Sequence, residues 1–326
     1  MAALRKRGFS RHALRGHANP IGMERFYPIG TPGRPWTAAD ARAWRDGQSV
    51  RRSYEEQVLR RLSNLDPALE VFSYGALSED PERYPLMAVR SARPSSDAPW
   101  ALVTGGVHGY ETSGVQGALD FLAHHATGFL DRVNLLVAPC VSPWAYEMIT
   151  RWNPHAVDPN RSFGPDASAE ESRALTCLVR EVGGPYLLHI DLHETTDSDE
   201  VEFRPALAAR DGKAFEPGTI PDGFYLVADR AKAEVAFQSA VLDAVREVAP
   251  IAPADSAGRI IGEPVVRPGL ITYPYRDLGL CAGVTNARFT TTTEVYPDSP
   301  RVTPAICNLA QVTATAAALE FALVSP

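Results

Sequence analysis

Residues 53–65 place Val58, Leu59 and Leu62 on one side of a helical wheel with paired charges opposite, so the spacing predicts an amphipathic helix there. Short β-rich runs follow at 69–74, 86–90 and 100–104, each of strand length. The third run ends on Gly105-Gly106 and gives way to a helical pattern over 112–126. The alternation then repeats, with a buried strand at 132–139, a helix over 168–182 and a strand at 186–192. Ser168-Ala-Glu-Glu171 has capping-box spacing and is read as the start of that helix. After a helix over 231–248, the β-branched run 290–296 reads as a strand. Thr303-Pro304 then opens a last helix that lines up Ile306, Leu309, Val312, Ala316, Leu319 and Leu323.

Strands alternating with helices predict an α/β fold: a single domain with a mixed central sheet flanked by helices on both faces. In such sheets ligands bind beyond the carboxyl ends of the strands. Residues 1–36, rich in Gly, Pro, Arg and His, read as an N-terminal arm ahead of one domain over 37–326. The stretch 202–283 is less regular and is the place for an inserted lobe.

Composition narrows the function. A chain of 326 residues, 45% apolar and 22% charged, can bury a large core without staples. Its net charge of −7 excludes a general nucleic-acid binder, which needs a basic surface. Cys140, Cys177, Cys281 and Cys307 lie far apart with no CxxC, as expected of reduced thiols in a cytoplasmic protein. The basic start (Arg5, Lys6, Arg7, Arg11, Arg15) is followed by no apolar run and does not read as a secretory signal. The longest apolar candidate, 133–141, is strand-sized, so no membrane span is expected.

Four segments carry candidate chemistry. His108-Gly-Tyr-Glu111 sits between a strand and a helix, where a His and a carboxylate three apart can offer a nitrogen and an oxygen to one metal ion. The same residues also suit a surface turn whose Glu opens a helix. In the strand that follows, His189, Asp191 and His193 share one face. His189 and His193 are ~13 Å apart at ~3.3 Å per residue, so at most one reaches a given ion. His193 lies at the carboxyl end, where a site opens, and His189 reads as a core or supporting histidine. Asp158-Pro-Asn160-Arg161, with Arg151 upstream, offers an Asn and a guanidinium fork suited to a carboxylate, though Asp-Pro also starts ordinary turns. Glu294 is a lone carboxylate in a β-branched strand, costly to bury unless paired or functional, and placed to act as a general base. The acidic cluster Glu194, Asp197, Asp199, Glu200 and Glu202 suits a solvated loop, with a second ion as the alternative.

In order, H-x-x-E, D-x-N-R-x-F, I-D-L-H and a strand Glu resemble the zinc carboxypeptidase family of carboxypeptidase A-like metallopeptidases. They also resemble the related aspartoacylase and succinylglutamate desuccinylase amidohydrolases. The resemblance runs from about Trp100 to the C-terminus. It implies one zinc ion per chain, bound by His108, Glu111 and His193. Glu294 would be general base and acid, and Arg151 would polarise the scissile carbonyl. Asn160 and Arg161 would bind the substrate's free carboxylate, and Asp158 would orient the His108 ring. Tyr273 and Tyr275 are the candidates for the family's substrate-capping tyrosine.

The implied reaction is hydrolysis of an amide next to a free carboxylate, in a peptide or an N-acyl amino acid. Thirty-two residues follow Glu294, room for one helix, whereas the aspartoacylase-like relatives append a β-domain there. That favours a metallocarboxypeptidase, while Asp191-Leu-His193-Glu-Thr-Thr196 leans toward the amidohydrolases. A non-catalytic zinc- or peptide-binding protein on the same fold is the reading of another class, natural for a chain missing a ligand or Glu294. No G-x-S-x-G or glycine-rich nucleotide signature is present.

Overall fold

The computed structural model describes residues 26–165 and 167–325. Most of the arm expected over 1–36 therefore lies outside the described residues. Helix α1 (Ala38–Asp46) opens on a reciprocal cap: Thr37 Oγ1 accepts from Asp40 N at 3.3 Å, and the Asp40 carboxylate accepts from Thr37 N at 2.8 Å. The helix expected over 53–65 is a π-helical turn (Glu55–Leu59) running into α2 (Arg60–Leu62), with Val58 and Leu62 buried as the spacing required. Strands β1 (Leu69–Ala76), β2 (Pro85–Ser91) and β3 (Trp100–Gly105) lead to α3 (Thr112–His124). Then come β4 (Asn134–Ala138), α4 (Pro143–Met148), α5 (Glu170–Val182) and β5 (Tyr186–Glu194). Helix α6 (Arg204–Arg210), β6 (Tyr225–Asp229), α7 (Val235–Arg246) and the two-residue strands β7 (Arg259–Ile260) and β8 (Glu263–Pro264) follow. Strands β9 (Leu270–Tyr273) and β10 (Phe289–Val295) and helix α8 (Pro304–Val324) complete the chain.

Eight strands form one mixed sheet in the order β1-β2-β4-β3-β5-β10-β6-β9. The central four, β4, β3, β5 and β10, run parallel, and antiparallel neighbours close both sides. The irregular stretch 202–283 is not a separate lobe, because its β6 and β9 extend this same sheet. Alternation on β5 divides its residues between two layers. Leu188, Ile190 and Leu192 pack with Val115 and Leu119 of α3 and with Ala314 and Ala318 of α8. His189, Asp191 and His193 point the other way. On that face Leu102 and Leu136 pack against Leu175 and Leu178 of α5.

Helix α8 corrects two expectations. Thr303 caps it through Ile306 N at 3.3 Å, as the sequence indicates. Of the expected stripe, Val312 and Leu319 are buried and Ile306, Ala316 and Leu323 partly so, but Leu309 is 47% exposed, and a row of Ala310, Ala314, Ala318 and Ala322 packs inward as well. Small residues let α8 lie close on α3: a Cβ at Gly117 would sit 2.5 Å from the Gln311 Cβ. Gln311 in turn donates to the His193 carbonyl at 2.9 Å and accepts from Thr293 Oγ1, pinning the ends of β5 and β10 to one helix. At 21 residues α8 is also long and apolar enough to cross a membrane by length and composition, where 133–141 was the longest apolar candidate expected, and half of its apolar window is buried here.

Helix α5 begins without the predicted box. Ala169 is its cap, Ser168 Oγ meets Ser162 Oγ at 3.3 Å, and Glu171 is drawn into the core. Burial pushes the Glu171 carboxyl up to about 7, eased in part by a backbone hydrogen bond and by long contacts from Asn153 and Ser142. A folded-state value above the unfolded one means stability held at low pH and lost as pH rises toward and through 7. Glu171→Gln is therefore expected to be more stable than the parent at pH 8, by on the order of 1–3 kcal/mol, with the gap closing near pH 5. Urea unfolding of both proteins at the two pH values checks this; curves that differ equally at both would reject it.

Candidate metal centre and cavity

The carboxyl ends of β3, β5 and β10 converge on a cavity of about 240 Å³ lined by His108, Glu111, Arg151, Asn160, Arg161, His193, Tyr273 and Glu294, among others. The loop after β3 carries His108 and Glu111, and the end of β5 carries His193. These three are buried, and their ligand atoms lie within 4.8 Å of one another. His108 Nδ1 is 2.7 Å from Glu111 Oε1, and His193 Nδ1 is 2.7 Å from Glu111 Oε2. Each imidazole thus turns Nδ1 toward the shared carboxylate.

The opposite nitrogens are held by carboxylates. His108 Nε2 contacts Asp158 Oδ1 at 2.9 Å, and His193 Nε2 contacts Asp191 Oδ2 at 2.8 Å. Such partners fix ring orientation and leave the other nitrogen for a ligand role. Asp158, the residue expected to orient the His108 ring, is the one that contacts it. Asp191 was visible in the sequence only as a same-face neighbour of His193, which is the signal that would have found it.

Charge is concentrated here. Burial alone would raise the Glu111 carboxyl, but His193 and His108 overcome it and hold it at about 2. Burial likewise opposes protonation of His193, but Asp191 and Glu111 lift it well above the ordinary imidazole range. The pocket therefore calls for positive charge between its carboxylates. The Glu111 Oε2–His193 contact lies off the hydrogen-bonding direction, so Oε2 is a buried oxygen with no donor aimed at it. Two imidazole nitrogens and a carboxylate oxygen around an unsatisfied lone pair fit a borderline-soft divalent ion such as zinc.

Asp158 does three jobs at once. As N-cap of the 3-10 turn Pro159–Arg161 it accepts from Asn160 N at 2.9 Å, and its second oxygen accepts from Arg151 Nε at 3.0 Å. Although burial opposes it, Arg151 and His108 hold its carboxyl well below the usual range. Asn160 Oδ1 is fixed by Cys281 N at 2.7 Å, which leaves its Nδ2 on the His193 side, 3.3 Å from Nε2. Arg161 donates to the Asn160 carbonyl at 2.7 Å and lines the cavity.

Glu294 pairs in register with His193 across the parallel β5–β10 ladder, which puts both side chains on one face at adjacent strand ends. Desolvation, and to a lesser degree Glu111, pushes its carboxyl up to about 8. Thr195 Oγ1 donates to Glu294 Oε2 at 2.8 Å and lies 2.7 Å from the Tyr225 hydroxyl. Neither Thr195 nor Tyr225 stood out in the sequence, because a Thr after a motif and a Tyr in a strand carry no signal of their own.

Arg151 reaches the cavity but is tied on two edges: besides Asp158, its Nη1 contacts Tyr110 OH at 3.2 Å and Asp199 Oδ1 at 3.4 Å. Tyr110 also donates to Asp199 at 2.9 Å. Asp199 thus leaves the acidic cluster for a buried role. The rest of that cluster disperses: Glu194 accepts from Thr112 N and Ser113 N, Asp197 from Tyr296, Glu200 from Arg204 and Gly218 N, and Glu202 from Tyr27. Among the described residues the only group arranged to hold an ion is His108, Glu111 and His193.

Two candidates separate clearly. Tyr273 lines the cavity, its hydroxyl pushed up to about 12 by burial. Tyr275, 1% exposed, turns into the core against Tyr225 and Val227 and gives its hydroxyl to the Val227 carbonyl. It lies past the end of β9, where Pro274 and the turn after it break the strand's alternation, so its ring turns inward and does not line the cavity. His189 is buried against Thr104 Oγ1 at 3.1 Å, and burial lowers its imidazole to about 4, keeping it neutral.

No protein-family model matches the chain, and no curated protein sequence does. Solved structures do. One is a protein of Shewanella amazonensis whose metallopeptidase label is itself an inference, with TM-score 0.62, 20% identity, and coverage of 82% of this chain and 91% of that one. A metallo-carboxypeptidase from Burkholderia cenocepacia aligns with TM-score 0.56 at 15% identity, over 82% of this chain and 67% of its own. Carboxypeptidase A from Helicoverpa armigera aligns with TM-score 0.55 at 14% identity, over 88% and 79%. At these identities the likeness is one of fold: the chain has the mixed-sheet architecture of carboxypeptidase A-like proteins.

Proposed function

We propose that the chain is a zinc-dependent hydrolase that cleaves an amide bond beside a free carboxylate, acting as a metallocarboxypeptidase on the C-terminal residues of peptides. The observation that carries this reading is one cavity with His108, Glu111 and His193 clustered on one wall, Glu294 in register beside His193, and Asn160 and Arg161 facing them. A zinc ion held by the three clustered residues would acidify a water and polarise a carbonyl. Glu294 takes the proton of the attacking water and returns it to the leaving nitrogen. Thr195 Oγ1 donates to its Oε2 and fixes the carboxyl on the face it shares with His193. Arg151, kept cationic by Asp158 and Asp199 despite burial, faces the charge that develops on the carbonyl oxygen. Asn160 Nδ2 and Arg161 grip the terminal carboxylate, and Tyr273 covers the bound end.

Free and C-terminally amidated peptides, run beside N-acyl amino acids, test the reading. Free peptides should be cleaved and amidated ones should be poor substrates. Arg161→Lys should raise KM for free peptides about 10–100-fold, because an ammonium cannot reproduce the two-pronged contact. Equal cleavage of free and amidated peptides would sink the carboxypeptidase assignment, and faster turnover of N-acyl amino acids would move it to the amidohydrolases.

A further inference from the structure

Arg52 precedes every strand of the sheet, yet its guanidinium reaches the turn that carries His108 and Glu111. Its Nη1 donates to Thr112 Oγ1 at 2.7 Å, its Nε to the Tyr146 carbonyl at 2.6 Å, and its Nη2 to the Gly109 carbonyl. The same group stacks on Tyr146, with Cζ 3.4 Å from the ring centroid. Its backbone is anchored as well: Arg51 N and Arg52 N donate to the Glu147 carbonyl at 2.9 and 3.3 Å, and Tyr54 N to Glu147 Oε1 at 2.9 Å. Arg52 therefore crosses from a fixed seat on α4 to both ends of the Gly109–Thr112 segment.

The turn has little other freedom. Gly109 lies directly on α4, where a Cβ would stand 1.9 Å from the Ala145 carbonyl carbon. From the opposite side Glu194 accepts from Thr112 N at 3.0 Å and Ser113 N at 2.7 Å. Thr112 is gripped by the Arg52 guanidinium at its hydroxyl and the Glu194 carboxyl at its amide, with Glu111 immediately before it. The three Arg52 contacts use three separate nitrogens of one rigid plane, a spread that the single nitrogen of an ammonium does not reproduce.

We propose that Arg52 is a positioning residue that sets the geometry of His108 and Glu111 and thereby the affinity of the site for a divalent ion. This rests on the metal-binding reading above. Zinc affinity of the folded full-length protein, measured by competition with a chromophoric chelator, tests it in the parent, Arg52→Lys, Arg52→Met and the control Arg83→Gln. Arg83 pairs with the same Glu147 but does not touch the turn. Arg52→Met should weaken zinc binding about 10–100-fold, the range for residues one layer behind the ligands. Arg52→Lys should fall between it and the parent, and Arg83→Gln should match the parent. In the metal-free proteins, amide exchange over residues 109–113 should accelerate in the Arg52 variants alone. Parental zinc affinity in Arg52→Met, or in Arg52→Lys if the first does not fold, overturns the proposal, as does equal weakening by the control. A parent that binds no divalent ion overturns the zinc reading instead. Exchange then decides the role of Arg52: unchanged protection of the turn in Arg52→Lys rejects it, and faster exchange there sustains it.

Discussion

Glu294→Gln is expected to lower kcat by about 10²–10⁴-fold, or about 3–5 kcal/mol of barrier, while zinc content and KM stay near parental values. The amide keeps the shape of the carboxylate and can still meet Thr195, but it cannot take a proton from water. Asn160 and Arg161, on the other side of the cavity, are untouched, so substrate is still gripped. A purely structural carboxylate would give the opposite pattern, with melting temperature altered and turnover per folded molecule intact. Zinc, melting temperature and turnover measured on this one variant separate the two outcomes. Full activity in a zinc-loaded, folded variant would remove Glu294 from the mechanism.

His193→Ala is expected to strip the ion and abolish turnover, whereas His189→Ala should keep the metal and lose only stability, about 0.5–3 kcal/mol. The two histidines lie four residues apart on one strand and share its face, so composition and alternation cannot tell them apart. Their surroundings do: His193 sits between Glu111 and Asp191, while His189 is sealed against Thr104 with its imidazole lowered to about 4. Metal analysis of both variants decides the matter, and equal zinc loss from the two would mean that the ion is held elsewhere on the strand.

The strands and the histidines at their ends were readable because period-two alternation and turn residues act locally. On α8 the burial of Val312 and Leu319 was readable, whereas the exposure of Leu309 and the inward row of alanines were not, because small residues carry little hydrophobic signal. Ser168-Ala-Glu-Glu171 has the spacing of a cap, yet the core took Glu171, so tertiary packing overrode a local preference. In the site, His108, Glu111, Asp158 and Asn160 are close in sequence to motifs with a chemical logic. Tyr225 reaches the cavity, and Arg52 the turn that carries Glu111, from distant segments and only through folding, while Thr195, two residues after His193, gains its meaning from its contact with Glu294. Tyr273 and Tyr275 would share a face if the strand continued, and it is the end of β9 at Tyr273, followed by Pro274 and a turn, that sends them to different surroundings.

Strand β10 enters the sheet between β5 and β6, both of which precede it in the chain, so the middle of the sheet is closed by the last strand to be synthesised. Until then β5 has a bare edge, and the β6–β9 pair has no neighbour to join. Long-range pairing of this kind forms late, and an open edge is where unfinished chains associate wrongly. The strand that removes this hazard also delivers Glu294 to its place beside His193. A nascent chain that still lacks β10 has an open edge and lacks the proposed base, and both are supplied in the same event that makes the sheet continuous.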